Sequence, residues 1–178
     1  MQTPLKYILL FCTAAMVGCN GCGEKKEISD AEVNRIQQGM IKETKKQHEQ
    51  EIKDIRHFIK KNNWPMQETA SGLQYWIYEP AADSSSKGKI EDIASISYVI
   101  TLLDGTECYK TSDAAPKQVR IGRDNVETGL HEALQLMRVG DKAKFIMPSH
   151  LAFGFTGDSG KIPQNATVVY DLHLIALD

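Results

Sequence analysis

The sequence predicts an α+β fold in which an antiparallel β-sheet wraps over one short helix, preceded by a long N-terminal helix. Three observations predict it. Runs rich in β-branched and aromatic residues recur after residue 64, one run with helical spacing interrupts them at 130–137, and a charge-dense stretch without proline fills 31–62. At 178 residues the chain is long enough for one domain and an appendage. Apolar residues at 42% and charged residues at 25% exclude a wholly disordered chain and a polytopic membrane protein. The net charge of -2 offers a polyanion no general attraction, so nucleic acid is not an expected partner.

Lys6 is followed by an apolar run from Tyr7 to Val17, with Gly18 and Cys19 directly after it, which is the layout of a secretory signal. The run is well short of the about 20 residues that cross a bilayer as a helix. Met16-Val17-Gly18-Cys19 resembles a bacterial lipobox, which implies cleavage before Cys19 and a diacylglycerol on its thiol. The alternative is an ordinary cleaved signal with an incidental cysteine. The expected organisation is a signal peptide over 1–18, a flexible tether over 19–30, a helical arm over 31–63 and a globular domain over 64–178. The expected location is the bacterial cell envelope, held by lipid on the periplasmic side of a membrane, with the outer membrane favoured. Cys12 would leave with the signal and Cys19 would carry lipid, so Cys22 and Cys108 read as free thiols without a disulfide framework.

The tether, rich in charge and glycine, has too little apolar content to bury anything. Ser29 or Asp30 can cap the helix that follows, and Pro65 disfavours helical geometry at the residue before it. Along the arm, apolar residues form two triplets, Val33-Ile36-Met40 and Ile52-Ile55-Ile59, separated by Thr44, Gln47 and His48. The interrupted stripe does not specify a strict coiled coil. It fits a spacer, and equally a dimerisation arm or a cradle for another polypeptide, so a homodimer through the arm is one expected assembly. His48 and His57 lack the spacing that places two ligands on one turn, and no metal or cofactor is expected.

Within the globular region, Leu73 to Tyr78 and Ile93 to Leu103 read as strands, with the serine-containing loop Pro80 to Gly88 between them. Asp104-Gly105 turns the chain, and Gln118 to Ile121 reads as a short strand. Leu130, Ala133, Leu134 and Met137 recur at helical spacing and are followed by Gly140, read as the helix stop. Lys142 to Met147 and Thr167 to Leu177 complete the strands. In the last of them Val168, Tyr170, Leu172 and Leu174 share one face, opposite Asp171 and His173, which predicts that one face is buried.

Several separated motifs occur in one order: Ser71-Gly72-Leu73-Gln74-Tyr75, Leu102-Leu103-Asp104-Gly105-Thr106, Gly129 with Ala133 through Lys142, Ile146 through Gly154, and Ile162 through Asp171. Together they resemble the FKBP-type peptidyl-prolyl isomerases over about residues 71–178, and an ordered set is far more specific than one motif. The lipobox and the helical arm give a looser likeness to the gliding-motility-associated branch of lipoprotein isomerases. The resemblance implies an FKBP-like fold and rotation about Xaa-Pro bonds, with proline-containing exported polypeptides as partners and the membrane contacted through the N-terminal lipid. It also implies a site built from Tyr98, Val126, Glu127, Leu130, Phe153, Ile162 and Tyr170, where the Glu127 backbone N–H donates to a substrate carbonyl and its carboxylate is solvated at the rim. Apart from the resemblance, Tyr98, Val126, Leu130 and Tyr170 would be core residues in any domain of this pattern.

Departures from the family pattern bear on activity. Its Phe-Asp pair is represented by Cys108-Tyr109, or by Tyr109-Lys110 after a slip of one residue, which leaves no carboxylate there. Its floor tryptophan is Leu130, its loop tyrosine is Phe153, and the residue before Ile162 is Lys161. A leucine buries less than the roughly 150–250 Å² of an aromatic ring, so a shallower pocket and weak activity are expected. Two functions stay open: a lipid-anchored isomerase assisting the folding of exported proteins, and a non-catalytic chaperone or assembly factor that uses the pocket only to bind.

Overall fold

The computed structural model describes residues 29–178 and divides the chain into two compact units, 1–40 and 41–178. The signal peptide, Cys12, Cys19, Cys22 and all but the end of the tether lie outside the described residues.

Helix α1 spans Asp30–Asn62. Its start is capped by Ser29, whose hydroxyl and carbonyl both accept from the Glu32 N–H. At its end Asn63 takes a left-handed conformation with φ 53°, and the Trp64 N–H reaches back to the Ile59 carbonyl, the hydrogen bond that closes a helix at such a residue. Pro65 then prevents continuation.

Seven strands follow as one antiparallel sheet: β1 (Gln67–Glu68), β2 (Gln74–Glu79), β3 (Ile93–Leu102), β4 (Glu107–Lys110), β5 (Lys117–Arg120), β6 (Lys142–Met147) and β7 (Val168–Leu177). Their order is β1-β2-β6-β7-β3-β4, and β5 pairs with the opposite end of β3 from β4. Helix α2 (Thr128–Leu136) lies against one face. Leu130, Ala133 and Leu134 from α2 meet Ala143, Phe145 and Met147 of β6 and alternate residues of β3 and β7, which form the main core. This matches the α+β fold predicted from period and turn signals. Strands β1 and β4 are absent from the sequence reading; β4 carries only one buried residue, Cys108, and so has no alternation to detect.

Two further expectations need correction. Gly140 does not stop α2, because Met137 is already extended; with φ 98° it serves the turn from Arg138 to Asp141 that enters β6. Nor is only one face of the last strand buried. Ile55, from the α1 segment inside the larger unit, packs on Ile146 and Val169 on the far face of the sheet, with Phe58, Ile59 and Trp64 around them. Of the two arm triplets, the second therefore contributes to a core, whereas Val33, Ile36 and Met40 are 39%, 52% and 65% exposed.

Candidate functional site

A cavity of about 570 Å³ opens where α2, the centre of β3 and β7, and the β6–β7 loop converge. Tyr98 on β3 and Tyr170 on β7 form one wall, their ring centroids 5.7 Å apart. They are diagonal neighbours, since Tyr98 pairs with Leu172 and Tyr170 with Ile100. Leu130, buried in the first turn of α2, is the floor, and Val126 and Phe153 add apolar wall.

Of the seven site residues expected from the sequence, Tyr98, Val126, Glu127, Leu130, Phe153 and Tyr170 line this cavity. Ile162 does not; it is buried in the core beneath the loop, where its backbone, not its side chain, serves the site through Asp158. The Glu127 carboxylate is also placed differently from the expectation. Glu127 is the N-cap residue of α2, but its side chain makes no capping bond; its Oε1 accepts from the buried Tyr170 hydroxyl at 2.9 Å, so the carboxylate turns inward rather than to the rim. Its backbone carbonyl accepts from Leu130 and His131, while its N–H has no protein acceptor among the described residues.

Positions 108–110 carry no carboxylate, as the sequence states, yet the cavity has one from elsewhere. Cys108 is buried and Tyr109 reaches the cavity, which settles the register, and the Tyr109 hydroxyl donates to Asp158. Asp158 thus returns a carboxylate to the cavity from a different element. The β6–β7 loop is shaped to hold it. Gly157 has φ 68°, and a Cβ there would lie 2.4 Å from the Ile162 carbonyl oxygen, so only glycine fits; the N–H groups of Gly160 and Ile162 then both donate to Asp158 Oδ1 at 2.8 Å. Asn125 and Lys117 also line the cavity and were not anticipated. The Gly157-Asp158-Ser159-Gly160 turn between Phe153 and Ile162 was the available signal for Asp158.

The loop carrying Asn125 and Val126 is fastened by His131 of α2. Its Nδ1 accepts from the Gly122 N–H at 2.9 Å, so its Nε2 bears the proton that meets the Asp124 carbonyl at 3.0 Å.

Electrostatically the cavity is mixed. Burial, reinforced by the Glu127 charge, raises the Tyr98 phenol, and the same causes raise Tyr170 well above the ordinary tyrosine value. Both phenols therefore stay neutral near pH 7. Burial acts to raise the Asp158 carboxyl, but the Tyr109 hydroxyl and the N–H groups of Ile162, Gly160 and Lys161 outweigh it and hold the group below the usual carboxylate range. The arrangement can seat a small apolar ring against the tyrosine wall and the Leu130 floor and offer one backbone donor. It contains no serine or cysteine nucleophile with an adjacent base.

Residues 84–175, just over half of the chain, match the family described as FKBP-type peptidyl-prolyl cis-trans isomerase. The chain is 39% identical over 110 residues to "FKBP-type peptidyl-prolyl cis-trans isomerase FkpA" of Aeromonas hydrophila, covering 62% of this chain and 40% of that protein. It is 36% identical over 107 residues to "Outer membrane protein MIP" of Legionella longbeachae, covering 60% of this chain and 45% of that protein. The chain thus spans less than half the length of these two curated relatives. The crystal structure of FkpA from Escherichia coli superimposes with a TM-score of 0.62 at 26% identity, over 85% of this chain and 74% of that one. With the family model matched over more than half of the chain and these similarities beside it, the chain belongs to the FKBP-type peptidyl-prolyl cis-trans isomerase family.

Proposed function

We propose that the protein is a peptidyl-prolyl cis-trans isomerase of low activity that assists the folding of exported polypeptides, held at the bacterial cell envelope by lipid on Cys19. One observation carries the isomerase reading: the side chains of Tyr98, Val126, Leu130, Phe153 and Tyr170 give a cavity of about 570 Å³ an apolar wall and floor beside the Glu127 N–H, which has no protein acceptor among the described residues.

The chemistry follows from the substrate bond. Rotation about a peptide C–N bond is opposed by about 18–20 kcal/mol because twisting removes amide resonance. A twisted amide is less delocalised and less polar than a planar one, so a water-excluding apolar enclosure favours it over the ground state. The Glu127 N–H suits a carbonyl beside the proline, fixing the chain while the amide rotates. Tyr98 and Tyr170, neutral over the working range, contribute area without charge.

Leu130 supplies less floor than an aromatic residue, and two carboxylates border the enclosure, which supports low turnover. The same carboxylates favour the second reading, a binding-only chaperone that prefers polar or basic neighbours of proline. Exchange spectroscopy by nuclear magnetic resonance on Xaa-Pro peptides separates them. A rate above background at about 10 μM enzyme establishes the isomerase, whereas no rate from a folded domain that still suppresses client aggregation establishes the chaperone. Similarity to a protein named as an outer membrane protein supports the envelope location. For the anchor, wild-type protein isolated from cells should carry a lipid mass increment that Cys19→Ala lacks; an unmodified Cys19 overturns the anchoring. Stable attachment needs more than one acyl chain, so a multiply acylated N-terminus is expected.

A further inference from the structure

A second constellation lies outside the cavity. His48 and Glu51, three residues apart on α1, face His150 in the 3₁₀ turn Ser149–Leu151 that follows β6. One ligating atom from each lies within 4.8 Å of the others. His48 Nδ1 is 3.8 Å from Glu51 Oε2, and the two imidazoles meet edge to face with centroids 6.1 Å apart.

Two features set this cluster apart from exposed groups that happen to be near one another. The Glu51 side chain is only 12% exposed, and its Oε1 accepts from the Ser149 N–H at 2.6 Å and from the Thr167 hydroxyl at 2.9 Å. Those bonds orient the carboxylate and leave Oε2 on the His48 side, the support that outer-shell donors give a ligating carboxylate. His150 Nε2 lies 3.1 Å from the Ser71 carbonyl oxygen. A carbonyl only accepts, so in the neutral ring the proton sits on Nε2 and the lone pair on Nδ1. All three side chains border a surface cavity of about 410 Å³, roomy enough for a hydrated cation.

We propose that His48, Glu51 and His150 bind a divalent transition-metal ion, Zn²⁺ in preference to others. Two imidazole nitrogens with one carboxylate oxygen suit Zn²⁺, whereas Mg²⁺ and Ca²⁺ take oxygen sets. Rotation of the two exposed imidazoles closes the cluster to the about 3.4 Å ligand separations of a tetrahedral centre with bonds of about 2.1 Å. Water completes the coordination, because no further His, Cys, Asp or Glu joins the group among the described residues. The bound ion ties the 41–62 part of α1 to the β6–β7 loop, whose Ala152 and Phe153 line the candidate active site. Occupancy therefore stabilises the fold and stiffens one wall of that cavity.

The test is calorimetric titration of the full chain in detergent with ZnCl2, alongside MgCl2, for the wild type, His48→Ala and His150→Ala. Both histidines are exposed, so the variants should fold, and circular dichroism verifies it. The expected result is one Zn²⁺ per chain with Kd at or below about 10 μM, at least tenfold weaker in each variant, with no Mg²⁺ binding. Co²⁺ in place of Zn²⁺ should give visible d–d bands without a thiolate charge-transfer band, which separates this site from the chain's cysteines. Equal Zn²⁺ affinity in all three proteins, no binding up to about 100 μM metal, or a thiolate band would each overturn the proposal.

Discussion

The Tyr109 hydroxyl donates to the Asp158 carboxylate, joining β4 to the β6–β7 loop on the wall of the candidate active site. One carboxylate thereby holds a phenol and gathers the loop's own Gly160 and Ile162 N–H groups. A sheet strand and a long connection are thus tied together at the wall of the cavity.

Asp158→Ala should lower the melting temperature and loosen the loop, since it strips the acceptor from two backbone donors and one hydroxyl. Asp158→Asn keeps an oxygen acceptor and should lose less. The folded carboxyl lies below its unfolded value of about 3.9, so its stabilisation is present above about pH 4 and is lost as pH falls through the folded pKa. The melting-temperature gap between wild type and Asp158→Asn should therefore shrink between pH 6 and pH 3; a constant gap would contradict the charge-based account.

Tyr170→Phe deletes the donor to Glu127 and leaves an inward-facing carboxylate without its partner. The expected destabilisation is about 1–3 kcal/mol by urea unfolding. Burial, then the Glu127 charge, raises the folded phenol. Its stabilisation is complete below the unfolded value of about 10 and declines as pH rises beyond it, because only the unfolded chain can then release the proton. Between pH 9 and pH 11 the wild type should lose stability more steeply than Tyr170→Phe.

Floor and wall area should set the isomerase rate. Leu130→Trp should raise kcat/KM about tenfold, equivalent to about 1.4 kcal/mol, provided that the melting temperature confirms the ring is seated. Phe153→Ala should lower kcat/KM by about tenfold or more, with a smaller loss of Tm than truncation of a fully buried ring because Phe153 is only partly buried against the core. Peptide exchange rates and melting curves on the same samples distinguish pocket effects from folding effects.

The two arm triplets should respond differently to truncation. Ile55→Ala should cost about 2–5 kcal/mol, since the side chain is 4% exposed against Ile146 and Val169. Ile36→Ala should cost less than about 0.5 kcal/mol in a monomer, its side chain being 52% exposed. A large loss at Ile36, accompanied by dissociation in analytical ultracentrifugation, would show that a second copy covers the first triplet.

The sequence by itself determined the two helices and strands β2, β3, β5, β6 and β7, because periodic burial is written locally. Val168, Tyr170, Leu172 and Leu174 mark one face of β7, and Leu130, Ala133, Leu134 and Met137 mark one side of α2, whatever packs on them. Ser29 and Pro65 likewise bound α1 through steric and hydrogen-bonding rules that need no distant partner. Ordered motifs added which of these residues would meet in a pocket, and six of the seven do line one cavity.

Only the tertiary structure decided what lies across a gap in the chain. Period cannot state which element covers the far side of Val169, and that was Ile55. Nor can it state that the carboxylate missing beside Tyr109 arrives as Asp158, that Glu127 turns toward Tyr170, or that His48 finds His150. Each is a meeting of residues far apart in sequence, selected by sheet order and loop geometry, where a hydrogen bond or an apolar contact outweighs a side chain's local preference for water.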